Sequence, residues 1–134
     1  MRPILLAGAL MSAAPALAHH SFAMFDPAKR MTIDGTIETL QWTAPHVILW
    51  VRAGKVGPYD AGLWSVELPT SPGNLGKMGW SRTTVAPGDK IRVDIDPIRD
   101  GRRSGSFKRA VLVRTGKVLT VGPVPGGTND PAAK

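Results

Sequence analysis

The chain has 134 residues, with 17 Lys plus Arg against 10 Asp plus Glu, a formal charge of +7 and no cysteine. That length holds one domain of ordinary size and excludes a multidomain enzyme with separate cofactor and substrate lobes. An apolar share of 43% supplies a packed core and argues against wholesale disorder.

Met1-Arg2 gives a short positive start, Ile4 to Leu17 an uncharged apolar run, and Ala16-Leu17-Ala18 the small-x-small pattern of a signal-peptidase site. Residues 1–18 therefore read as a secretory signal peptide. A membrane anchor would need about 20 apolar residues, and the run stops at His19-His20-Ser21. No cysteine follows for lipid attachment. Cleavage after Ala18 leaves 116 residues (134 − 18) and removes only Arg2 from the charge, so the mature protein is periplasmic or secreted at about +6. It has no disulfide to support it, so its core must suffice.

Thr32 to Trp42 predicts a first strand. Its apolar phase runs through Ile33, Gly35 and Ile37, then switches to Leu40 and Trp42, which implies a bulge near Glu38–Thr39. Val47 to Arg52 is apolar on both faces, as in a well-buried strand. Leu63 to Leu68 forms a third, with Trp64, Val66 and Leu68 on one side. Ser71 to Trp80 is a short helix with Ser71 as cap, Pro72 at the first position and Leu75 and Met78 three apart. Pro87-Gly88-Asp89 is a tight turn. In the fourth strand, Lys90 to Ile95, Ile91, Val93 and Ile95 face in while Arg92, Asp94 and Asp96 face out to solvent. Phe107 to Arg114 is the fifth, with Val118 to Val121 as an extension, and 122–134 reads as a flexible Gly/Pro-rich tail. Three strands, a helix and two strands, with a long bent first strand, give an all-β class: a five-stranded OB-like barrel over 19–121. An open two-sheet sandwich is the competing architecture.

The three histidines are His19, His20 and His46. If His19 is the first mature residue, its amine and imidazole can chelate one ion, and a further ring from His46 or His20 completes a three-nitrogen set suited to a copper ion, Cu(II). Cleavage one residue earlier would put His20 third, a second copper-capable arrangement. Met24 and Asp26 are further donors of soft and hard kind. Three His without Cys make a poor structural zinc set. The plainer reading is a polar terminus, with His46 bonded to a loop carbonyl.

Trp64 belongs in the core. Trp42 precedes Thr43-Ala44-Pro45-His46 at the first turn, which borders the ligand face of OB barrels, so Trp42 and His46 can flank one site or simply pack a barrel end. Arg99, Arg102, Arg103, Lys108, Arg109, Arg114 and Lys117 form a basic cluster beside Asp100. Arg102 and Arg103 lie in the loop between strands four and five, and Phe107 offers a stacking ring. In a cytoplasmic protein this would suggest single-stranded nucleic acid. Export favours an anionic glycan, lipid or protein partner, with a solvated basic face as the plain alternative. There is no nucleophile elbow, phosphate loop or dinucleotide fingerprint, so an enzyme is not expected.

His19-His20-Ser21-Phe22-Ala23-Met24-Phe25-Asp26, Gly35-Thr36-Ile37, Trp42 to His46, Ser71-Pro72-Gly73-Asn74-Leu75, Gly79-Trp80 and Pro87-Gly88-Asp89 together resemble a family of short exported proteobacterial proteins of unknown function. Its members start H-H-S-F and carry W-x-N-P-H; here Ala44 stands where the family usually has Asn, and one residue is missing before Phe25. The resemblance implies a secreted, single-domain, OB-like protein and no assigned activity.

Overall fold

The computed structural model describes residues 22–122. Residues 1–18, expected from the sequence to be a signal peptide, His19, His20 and the tail beyond Gly122 lie outside the described residues. Six strands follow one another: β1 (Met31–Gln41), β2 (Ile48–Ala53), β3 (Gly62–Glu67), then α1 (Pro72–Lys77), β4 (Lys90–Pro97), β5 (Ser104–Leu112) and β6 (Val118–Thr120). Two single turns of 3-10 helix, Phe22–Met24 and Pro27–Lys29, precede β1. The sheet order is β3-β2-β1-β4-β5-β6, and a parallel pairing of β3 with β5 closes it. This is the five-stranded OB-like barrel with a helix between the third and fourth strands, plus β6 as an antiparallel partner of β5.

The register shows how the barrel closes. Gln41 pairs with Ile48, Ile48 with Glu67, Glu67 with Ser106, and Ser106 with Asp96. Asp96 follows Ile95, the partner of Met31, so a circuit that leaves β1 at position 41 returns to it at position 30. Such a stagger tilts every strand against the barrel axis. β1 therefore has to serve two neighbours, β4 along its first half and β2 along its second. Gly35 pairs with both Ile91 and Ala53. A Cβ there would lie 2.6 Å from the Arg52 carbonyl oxygen, so only glycine permits this approach. The register then slips between Ile37 and Thr39, where the sequence places its phase switch.

The core follows the alternation. Ile33, Ile37, Leu49, Val51, Trp64, Val66, Ile91, Val93 and Ile95 are buried. Trp64 meets Tyr59 edge-on at 4.9 Å. Trp80 meets Phe107 edge-on at 5.5 Å, and its indole N–H donates to the Thr120 carbonyl at 2.8 Å. Helix α1 begins as expected, with the Ser71 hydroxyl accepting from the Asn74 amide and Pro72 opening the first turn. Its one buried residue is Leu75.

Three sequence expectations are corrected. Phe107 is no stacking ring, because it is wholly buried against Trp80. The fifth strand starts at Ser104, three residues before the apolar pattern begins, and ends at Leu112. Asp96 is not solvated but buried, at 3% exposure. Arg30 Nε donates to its Oδ1 at 2.8 Å, and Lys108 Nζ stands 2.9 Å from Oδ2. Burial by itself would raise the Asp96 carboxyl, but hydrogen bonds from Arg30 and Lys108 outweigh it and hold the pKa below the ordinary value.

Candidate functional site

Two loops meet the ends of β3. The first, residues 42–47 between β1 and β2, contains a cis Ala44–Pro45 peptide. Val47 anchors it, burying its side chain and accepting from the Leu68 amide at 2.9 Å. Trp42 is half-buried against the core. His46 is half-buried too, and its Nδ1 lies 3.1 Å from Glu67 Oε1 at the last position of β3. Beside it on β2 the half-exposed Trp50 donates its indole N–H to Gln41 Oε1 at 3.0 Å.

The second loop, residues 98–103 between β4 and β5, meets the other end of β3. The Ser65 amide donates to the Arg103 carbonyl at 3.1 Å, and the Ser65 and Ser104 hydroxyls are 2.9 Å apart. The Arg103 guanidinium lies over Gly62, where a Cβ would come within 2.5 Å of its Nε. Gly101 turns the loop at φ +82. Asp100 accepts from the Arg102 amide at 3.1 Å and from its Nε at 2.7 Å. The amide chiefly, then the guanidinium, hold the Asp100 carboxyl below its usual pKa. Between the loops the outer side of β3 presents Leu63, Ser65 and Glu67, all half-exposed, over about 13 Å of strand. The strip runs from an imidazole–carboxylate pair at one end to guanidinium groups at the other.

Arg99 faces elsewhere. Its amide donates to the Met24 carbonyl at 2.9 Å, its Nε to the Ala23 carbonyl at 3.1 Å, and its Nη1 lies 3.2 Å from Asp26 Oδ2. Phe25 is buried and bridges Ile98. Asp26 is buried, donates its amide to the Pro97 carbonyl at 2.8 Å, and caps the Pro27–Lys29 turn through the Ala28 amide. Thus Arg99 and Asp26 fasten the segment before β1 to the second loop, and Asp26 acts as a cap.

The predicted site residues therefore fall into separate places. His46 and Trp42 share the first loop, at the C-terminal end of β1, whereas the described start of the chain docks beside the second loop, at the N-terminal end of β1. Among the described residues no three His, Cys, Asp or Glu side chains gather as a metal cluster. Arg103 borders β3, and Arg102 next to it turns to Asp100. Lys108 turns to Asp96, and Arg109 lies exposed on the outer side of β5, opposite Asp94 on β4 and Thr120 on β6. Sequence reasoning missed Glu67, Ser65, Ser104 and Trp50. The first two were visible as the outward phase of the Trp64–Val66–Leu68 alternation.

Residues 8–108 match the family described as "Family of unknown function (DUF6152)", and the chain belongs to that family. No curated protein matches it. Among solved structures it is similar to two crystal structures of the mitochondrial single-stranded DNA binding protein Rim1 from S. cerevisiae. One is 16% identical with a TM-score of 0.44, covering 73% of this chain and 98% of that one. The other is 14% identical with a TM-score of 0.41, covering 69% and 96%. Among the described residues no helix is long and apolar enough to cross a membrane.

Proposed function

We propose that this member of a family of unknown function is a non-enzymatic, exported binding module that takes an elongated anionic ligand, an acidic glycan first among them, along the outer side of β3. The observation that carries this reading is that both loops close on the two ends of one strand, with Arg103 lying over Gly62 at one end and His46 beside Glu67 at the other. Arg103 supplies the charge for a sulfate or carboxylate group, with Arg102 beside it paired to Asp100. The Ser65 and Ser104 hydroxyls and the half-exposed Trp50 ring suit the polar edge and apolar face of a sugar. A sulfated oligosaccharide should bind the mature protein with an affinity that falls with salt. Arg102→Ala/Arg103→Ala should weaken binding about tenfold, as loss of two surface ionic contacts would. Unchanged binding, or binding insensitive to salt, would reduce these arginines to a solvated loop.

A second reading, copper binding by histidine, is favoured at His46 by the Glu67 carboxylate 3.1 Å from its Nδ1; since the described chain start docks at the opposite end of β1, His46 would hold an ion apart from the terminal pair His19 and His20. A carboxylate on that side orients an imidazole and leaves Nε2 as the metal donor. The mature protein with its native terminus should then bind Cu(II), and both His46→Ala and one added N-terminal residue should weaken it. If neither does, this copper site is wrong; if only the extension does, His46 is not a ligand.

A further inference from the structure

Among the described residues only two large hydrophobic side chains are exposed, Val113 at 61% and Val118 at 43%, and both belong to the β5–β6 hairpin. They are not scattered. Val111 pairs with Val118, so the two share a face, and strand alternation extends that face to Val113 beyond the end of β5. The opposite face of the hairpin is the ordinary one: Ala110, Leu112 and Leu119 are buried in the core. An outward apolar strip of three β-branched residues has no role in holding the barrel together.

The charge of the hairpin itself is of one sign. Residues 104–122 contain no Asp or Glu. Arg109 adjoins the strip on β5, and Arg114 and Lys117 flank the turn at Gly116, all exposed. On the neighbouring elements Asp94 stands opposite Arg109, Asp34 is paired with Arg92 at 2.7 Å, and Asp89 accepts from the Ala86 amide at 2.9 Å; with Lys90 and Arg92 beside the hairpin, cations still outnumber these carboxylates. Valines at the tip of a rigid hairpin, ringed by cations, suit the headgroup boundary of an anionic bilayer, where the side chains leave water and the cations meet lipid phosphate.

We propose that the β5–β6 hairpin is a membrane-contact element that docks the protein on an anionic phospholipid surface through Val113 and Val118, with Arg109, Arg114 and Lys117 as its electrostatic collar. This surface is distinct from the β3 strip, so the two can fail separately.

The test is co-sedimentation of the mature protein with vesicles of phosphatidylcholine alone and of phosphatidylcholine mixed with phosphatidylglycerol. Binding should appear only with phosphatidylglycerol and fall with salt. Arg114→Gln/Lys117→Gln should lower the partition coefficient roughly thirtyfold, since each cation near such a surface is worth about fivefold. Val113→Ser/Val118→Ser should weaken partitioning several-fold, and both positions are exposed enough to keep the fold, which thermal unfolding checks. The chain has no cysteine, so Val113→Cys carries a single environment-sensitive dye, whose emission should shift to the blue on phosphatidylglycerol vesicles. An unshifted dye would overturn the proposal. So would vesicle binding lost through Arg102→Ala/Arg103→Ala rather than through the hairpin variants, because the lipid would then sit on the second loop.

Discussion

Replacing Trp64 by alanine should cost about 3–5 kcal/mol of folding free energy, read from the midpoint of urea unfolding. Trp64 is wholly buried, and it closes the space between β3 and Tyr59 with an edge-on contact at 4.9 Å. No disulfide limits the unfolded chain, because there is no cysteine, so the loss falls directly on the core. Trp64→Phe should cost much less. A phenyl ring keeps most of the volume, and the indole N–H, which is buried without an acceptor among the described residues, disappears with the substitution. Equal losses for the two variants would show that the ring's volume is not what stabilises this part of the barrel.

Asp96→Asn should destabilise the protein by about 2–3 kcal/mol at neutral pH, the scale of charge-assisted hydrogen bonds lost at a buried acceptor. Arg30 and Lys108 are both partly exposed and can turn to water, which keeps the cost below that of a stranded buried charge. The pH dependence follows from the direction of the shift. The folded carboxyl titrates below its unfolded value, near 4. Its contribution is therefore complete above that value and is lost as the pH falls through the folded pKa. Acid titration of the wild type should show stability declining below about pH 4, and Asp96→Asn should flatten that part of the profile. A variant with an unchanged acid limb would mean that other carboxylates govern acid unfolding.

Asp96 also shows why some of the fold escapes sequence reading. Alternation from Ile91 to Ile95 correctly puts Asp94 towards the outer side, and the same rule carried one step further exposes Asp96. A register shift between Asp94 and Ile95 interrupts the rule. Beyond it Ile95, Asp96, Pro97 and Ile98 are buried in succession, because Phe25, Asp26 and Arg30 cover what would be the solvent side. That cover comes from some seventy residues away along the chain, beyond any local pattern. The start of β5 was hidden for a different reason. Ser104-Gly105-Ser106 has no apolar period, and its strand form comes from pairing with β3 on one side and β4 on the other. Gly105 is favoured there, since a Cβ would lie 2.9 Å from the Asp96 carbonyl oxygen, a backbone atom that cannot swing aside.

By contrast, the bent first strand was legible because its bulge shifts the apolar phase, and α1 because Ser71-Pro72 is a local cap. The site was legible only in part. Trp42 and His46 are neighbours in sequence and share their loop in the fold. Glu67 is brought to His46 only by the pairing of β2 with β3, and Arg103 to Gly62 only by barrel closure. The basic cluster, contiguous in sequence, is divided by the alternation of β5. Arg103 borders β3, Arg102 is paired with Asp100, Lys108 is committed to Asp96, and Arg109 belongs to the hairpin face.

The most direct test of the β3 strip as the binding face is an amide chemical-shift titration of the isotope-labelled mature protein with a sulfated oligosaccharide. Saturating shifts are expected at Leu63 to Glu67, at His46 and at Arg102 to Ser104, with the hairpin amides of Arg114 to Val118 unmoved. Saturating shifts centred on the hairpin, or weak shifts spread over every exposed cation, would contradict that assignment.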